Sequence, residues 1–126
     1  MTEPPVVELP GREDGTVVCR LRGEIDIEAR SHLHAAFTDA AACATRAVVI
    51  DCSRLEFADS TLLNALLQLR RDAAARRQAL IVAAPAPQLL RLLELTGTAD
   101  LLHTSPSLAQ ALAGLRPAPR AWCSSG

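Results

Sequence analysis

Three adjacent residues, Asp59-Ser60-Thr61, open a long apolar-periodic run that begins at Leu62. Asp, Ser and Thr favour a helix N-terminus because their side-chain oxygens accept from amides that the first turn leaves unpaired. Those amides, with the helix dipole, also favour negative charge at that spot. A phosphate ester on Ser60 would gain from them. It would also crowd Asp59 and Glu56, and would add nearly two negative charges to an exposed rim. A partner docking over such a helix start would be repelled, so the triplet has the physics of a phosphate switch. The plainer reading is that one of its oxygens only caps the helix.

Other reactive side chains offer less. The sequence has no GxGxxG, GxxxxGK[ST], GxSxG or HExxH pattern. His32 and His34 sit at i and i+2 of a predicted helix, where side chains diverge, so they do not chelate a metal jointly. His103 stands alone. The cysteines, Cys19, Cys43, Cys52 and Cys123, form no CxxC pair and do not read as a zinc site. Cys19 and Cys52 lie inside apolar strand-like runs, where Cys behaves as a small buried hydrophobe. All four read as free thiols of a reducing, cytoplasmic compartment.

Composition narrows the classes further. Every one of the 13 basic residues is Arg, which excludes lysine chemistry such as a Schiff base or a P-loop lysine. Aromatics are confined to Phe37, Phe57 and Trp122, and the formal charge is -1. A direct nucleic-acid binder wants a positive groove and stacking platforms, and neither is indicated. No apolar run reaches the ~18 residues of a membrane span, and no signal peptide is visible. Arg70-Arg71 and Arg76-Arg77 read as a solvated helix end.

The elements that must position the triplet follow from periodicity. The 126 residues suit one domain. Val6 to Leu9 predicts a short strand, and residues 11–15 a hairpin turn. Thr16 to Arg22 alternates, with Val17, Cys19 and Leu21 on one face and Val18, Arg20 and Arg22 on the other. Ile27 to Ala44 reads as a helix with Leu33, Ala36, Phe37 and Ala40 inward. Ala47 to Ile50 reads as a strand covered on both faces, and 51–58 as a connector with apolar points Leu55 and Phe57. Leu62 to Arg77 is a helix, apolar at Leu62, Leu63, Leu66, Leu67, Leu69 and Ala73, polar at Asn64, Gln68, Arg71 and Asp72. Ala79 to Ala84 is a second apolar strand. Gln88 to Leu95 is a short helix started by Pro87 and closed at Gly97. Leu101 to Thr104 predicts a strand, and Leu108 to Leu115 the last helix. This order implies an α/β fold with right-handed crossovers.

The stretch 47–77 resembles the core of a STAS domain, the family that includes the bacterial anti-sigma factor antagonists. That family's helix opens on Asp-Ser-Ser/Thr-Gly-Leu-Gly, which stands here as Asp59-Ser60-Thr61-Leu62-Leu63-Asn64. Gly23-Glu24-Ile25-Asp26 is similar to the family's Gly-Glu-Leu/Ile-Asp, and PQLLRLLELTGT at 87–98 to its segment ending in Leu-Thr-Gly-Leu, here with Thr98 in the last place. The resemblance covers roughly residues 6–115. It implies a STAS-like four- to five-stranded mixed sheet with about four helices packed against it, between a flexible lead-in at 1–5 and a flexible tail at 116–126.

The resemblance also implies a function. Such an antagonist, unphosphorylated, binds an anti-sigma factor that is also a serine kinase, and so frees the sigma factor. Phosphorylation of the motif serine, here Ser60, switches it off, and a metal-dependent serine phosphatase reverses this. Asp26, Asp59, Thr61, Leu62 and Asn64 would share the partner surface with Ser60. The antagonist is not an enzyme, needs no cofactor, binds neither nucleic acid nor membrane, and is expected as a monomer or weak homodimer. Leu62 and Asn64 replace two motif glycines that permit close backbone approach. That substitution keeps open an accessory subunit docking without phosphorylation on the ATPase of a lipid-transport ABC system. A third class, a small enzyme or nucleotide binder of flavodoxin-like outline, lacks a phosphate loop, catalytic dyad or metal cluster in the sequence.

Overall fold

Six consecutive residues, 47–52, are buried although their side chains alternate between opposite faces, so this strand is covered on both sides. The chain, described by a computed structural model over residues 6–8 and 15–115, is built around it. In order it forms β1 (Val6–Glu8), β2 (Thr16–Ile25), α1 (Arg30–Cys43), β3 (Ala47–Ala58) and α2 (Ser60–Ala75). Then come β4 (Ala79–Ala83), α3 (Pro87–Leu95), β5 (His103–Ser105) and α4 (Leu108–Gly114), with 3-10 turns at Ile27–Ala29 and Ala99–Leu101. The expected lead-in, the 11–14 part of the hairpin turn, and the tail with Trp122 and Cys123 lie outside the described residues.

The strands are ordered β1-β2-β3-β4-β5, with β1 antiparallel to β2 and the rest parallel. Parallel strands added in one direction through right-handed crossovers place every connecting helix on the same face. One cluster accordingly joins Val17, Cys19, Leu21, Val48, Ile50, Cys52 and Val82 to Leu33 and Phe37 of α1, Leu62, Leu66 and Leu69 of α2, and Leu89 and Leu93 of α3. The alternate residues Val18, Val49 and Ala83 face the other way, where Ala111 of α4 covers them. Burying one such Leu or Val side chain contributes about 1.5–3 kcal/mol. With so few aromatics, aliphatic interdigitation carries the core. The expected α/β sheet and its four helices are therefore present.

Several boundaries differ from the sequence reading: 27–29 and 99–101 are 3-10 turns, so α1 starts at Arg30 and β5 at His103, and α2 runs Ser60–Ala75; two larger differences each have a local reason. The segment 51–58, expected as a connector, continues β3 to Ala58. Its Ser53, Arg54, Glu56 and Phe57 are exposed, which masks the apolar signal. What begins the extension is a buried polar knot: Asp51, 1% exposed, accepts from Arg20 Nε at 3.2 Å and from the Ser53 amide at 3.0 Å. The second strand, expected to stop at Arg22, runs on to Ile25 because Gly23 lies in an irregularity rather than a turn. The β2–β3 register shifts between Arg20 and Arg22 and between Gly23 and Glu24, and Gly23 takes φ 68°, a left-handed value glycine tolerates. Gly15 has a different reason: at φ 85° an added Cβ would collide with the Thr45 hydroxyl, while its carbonyl accepts from the amides of Thr45 and Arg46.

Burial also sets the chemistry of one thiol. Cys52 is 2% exposed, and desolvation, helped by the adjacent Asp51 charge, pushes it from 9.0 up to about 12. The folded value exceeds the unfolded one, so stability is unaffected below pH 9 and falls as pH rises from there toward 12. Urea unfolding midpoints measured across that alkaline range are expected to fall less steeply for Cys52→Ala than for the parent. Equal slopes would place the thiol in water.

Candidate functional site

The carboxyl ends of β2 and β3 lie side by side, Ile25 paired with Ala58, and each is followed at once by an aspartate. The Asp59 amide donates to the Ile25 carbonyl at 3.4 Å, which locks the two exits together. Asp26 and Asp59 are both extended, at φ -126° and -118°, and each caps the helical segment that follows. Asp26 Oδ1 accepts from the Glu28 amide at 3.1 Å. Asp59 Oδ1 accepts from the Thr61 amide at 2.8 Å, and its carbonyl accepts from the Leu62 amide at 3.2 Å. A crevice outside the carboxyl ends of parallel strands is where open α/β sheets bind ligands. The sequence pointed to a cap within Asp59-Ser60-Thr61, whereas the Asp26 cap and its pairing with Asp59 come from the β2–β3 register.

Ser60 is the first residue of α2, and its side chain is exposed. Asn64, one turn on, is exposed as well. Thr61 is only 9% exposed, and Leu62 is fully buried at 0%. Leu62, expected among the partner-facing residues, packs into the core with Leu66 and Leu69; α2 turns that position inward. The exposed members of the expected set are therefore Ser60 and Asn64, flanked by the half-buried Asp26 and Asp59. The expected gain of a Ser60 phosphate from unpaired amides also changes: the Asp59 carboxylate already occupies the Thr61 amide.

A groove of about 440 Å³ runs from Ser60 between α1 and α2. Ile27, Arg30 and His34 line one wall, and Asn64, Leu67 and Arg71 contribute to the other. Sequence reasoning placed Asn64 and Arg71 on the polar face of α2 but missed Arg30 and His34. Their signal is the 27-30-34 spacing, one stripe of a helix start. Ser60 and His34 share the groove, yet among the described residues no hydrogen bond joins them. Among the described residues no three His, Cys, Asp or Glu are grouped to hold a metal ion, and no helix is long and apolar enough to cross a membrane. The arrangement presents a capped helix start, an exposed hydroxyl and a groove that carries two arginines.

This sheet, with all three crossover helices on one face and two adjacent strand exits that end in helix-capping aspartates, defines a class of small α/β domains. Residues 9–104 match the family described as Mlab, STAS domain, and the chain belongs to the STAS-domain family. Solved structures agree in fold. An anti-sigma factor antagonist from Mycobacterium paratuberculosis is 28% identical, with a TM-score of 0.74 over 93% of this chain and 100% of that one. The Bacillus protein SpoIIAA in its phosphorylated form is 23% identical, with a TM-score of 0.70 over 88% of this chain and 99% of that one. A sulfate transporter family protein from Wolinella succinogenes is 16% identical, with a TM-score of 0.69 over 80% and 84%. Among curated proteins none matches the chain.

Proposed function

We propose that the chain is an anti-sigma factor antagonist. Unphosphorylated, it binds an anti-sigma factor that is itself a serine kinase, and phosphorylation of Ser60 breaks the complex. The observation that carries this reading is the placement of Ser60: exposed, at the first position of α2, directly after the Asp59 cap. A kinase can reach that hydroxyl without disturbing the core. The ester would put nearly two negative charges beside a carboxylate that already holds the local amide. Structures named for unphosphorylated and phosphorylated SpoIIAA share the fold, which supports a switch of this type. A serine phosphatase resets it. The protein acts in the cytoplasm as a substrate and binding module, not as an enzyme. It needs no cofactor, contacts neither nucleic acid nor membrane, and works as a monomer or weak homodimer. Residues 6–115 form the domain.

A second reading has its own support. The family description names Mlab, a transporter family protein shares the fold, and the two motif glycines are absent, with Leu62 in the core. In that reading the same surface docks on an ABC-transporter ATPase without phosphorylation. Intact-mass analysis of the protein purified from its native host, with the modified residue mapped and the co-purifying partner identified, decides. One phosphate on Ser60 and a small serine kinase are expected. Unmodified Ser60 with a transporter ATPase overturns the first reading in favour of the second.

A further inference from the structure

The groove between α1 and α2 carries a charge pattern that the Ser60 switch alone does not explain. Arg30 and Arg71 are exposed on its opposite walls, His34 lies on the Arg30 side, and among the described residues no carboxylate lines it. This is a local concentration of cations on a chain whose formal charge is -1. Arg71 is aimed rather than free: its Nη2 donates to Gln68 Oε1 at 2.8 Å. Gln68 in turn donates to Asp72 Oδ1 at 3.3 Å, so the nearest carboxylate of α2 is engaged outside the groove. Neither Arg30 nor Arg71 forms an ion pair among the described residues. The floor is apolar, with half-buried Leu67, and the rim carries Ile27 at 64% exposure. A single exposed isoleucine is ordinary; what marks this one is its place on the rim of a groove that also holds two guanidinium groups.

We propose that this groove receives an amphipathic acidic segment of the partner protein. Its carboxylates pair with Arg30 and Arg71, and its apolar side chains rest on Leu67 and Ile27. Guanidinium groups favour carboxylates because the planar fork matches two oxygens at once. The proposal deepens the antagonist reading and rests on it for the identity of the partner, though not for the chemistry of the groove. It also supplies a route for the switch. Ser60 opens onto the same groove, so a phosphate there competes with the segment for the same cations.

The test uses the full chain and a defined probe, a decapeptide of alternating Glu and Leu, with its Gln-for-Glu counterpart as control. Amide chemical shifts on titration are expected to move at residues of α1 and α2 that line the groove. Arg30→Gln and Arg71→Gln are each expected to weaken binding about two- to fivefold, as exposed charge pairs do. Arg91→Gln, on α3, is expected to leave it unchanged. The Gln counterpart is expected to bind several-fold more weakly, and the difference should shrink as salt is raised. Shifts elsewhere, equal binding by the Gln peptide, or indifference to both Arg substitutions overturns the proposal. So does a groove that answers to heparin or anionic vesicles and not to the peptide. The antagonist reading stands or falls separately, on the modification state of Ser60 in the native host.

Discussion

Ser60→Asp is expected to weaken binding to the anti-sigma factor kinase at least about tenfold, or about 1.4 kcal/mol. Ser60→Ala is expected to stay within about twofold of the parent, well under 1 kcal/mol. The asymmetry follows from the helix start. Ser60 is exposed and its hydroxyl makes no contact on which the fold depends, so removing it takes away little. A carboxylate at 60 meets a different situation. Asp59 already accepts from the Thr61 amide at 2.8 Å, so the dipole end that would otherwise absorb an anion is occupied. Asp26 stands at the neighbouring strand exit, which adds like charge on one side. On the other side the new carboxylate draws on the cations of the groove and leaves fewer for a partner. Like charges forced together across an interface cost several kcal/mol, and a doubly charged phosphate exceeds what Asp mimics. Titration calorimetry of the two variants against the purified kinase of the same host, at two salt concentrations, reads the difference directly. Equal affinities would falsify the switch.

Leu62→Gly, which restores the glycine of the family motif, is expected to destabilise the domain by about 3–6 kcal/mol. Leu62 is fully buried and packs within the main core cluster. Removing such a side chain costs about 2–5 kcal/mol through lost transfer energy and the cavity left behind. Glycine inside a helix adds about 1 kcal/mol. Against a total stability of about 5–15 kcal/mol, that single change brings the domain close to its unfolding limit. Asn64→Gly, two residues on and exposed, is expected to cost less than about 1 kcal/mol, a helix-propensity effect alone. Urea denaturation of both variants tests the contrast. A loss under 1 kcal/mol for Leu62→Gly would mean that the first turn of α2 is not anchored in the core as described. The replaced glycines are therefore unequal. Position 64 could regain its glycine at small cost, whereas position 62 has been absorbed into the packing.

Helices were the most legible elements, because an apolar stripe is a local property. Of the α2 stripe, Leu62, Leu63, Leu66, Leu69 and Ala73 are buried as their spacing predicted and Leu67 only half so, and Pro87 begins α3 as its pre-set φ suggested. The end of β3 was not legible, since Ser53, Arg54, Glu56 and Phe57 look to solvent with only Leu55 turned toward the core, and pairing with β2 beyond the Asp51–Arg20 ion pair keeps them in line. The end of β2 was hidden in a related way: the alternation stops at Arg22, and the register shift around Gly23 lets the strand continue to Ile25 without it. Of the candidate site, the Asp59-Ser60-Thr61 helix start was visible in three letters. The groove was not, because Arg30 and Arg71 are 41 positions apart by their numbers, and only the packing of α1 on α2 brings them to one cleft.

The unequal lengths of the central strands carry a mechanical consequence. β3 has 12 residues and β4 only 5, and their pairing ends where Asp51 meets Ala83. Beyond that point residues 52–58 have β2 as their strand partner, with Cys52 and Ala58 packed in the core and Gln88 Oε1 accepting from the Ala58 amide at 3.4 Å. The two strand exits thus form a cantilevered ledge outside the five-stranded body. Opening free energies vary along a protein with local support, so the amides of this ledge are expected to exchange hydrogen faster than those of the five-stranded body. A charge placed on Ser60 can flex or loosen its root there while the hydrophobic body beneath keeps its shape, which lets the surface change its meaning to a partner without the fold coming apart.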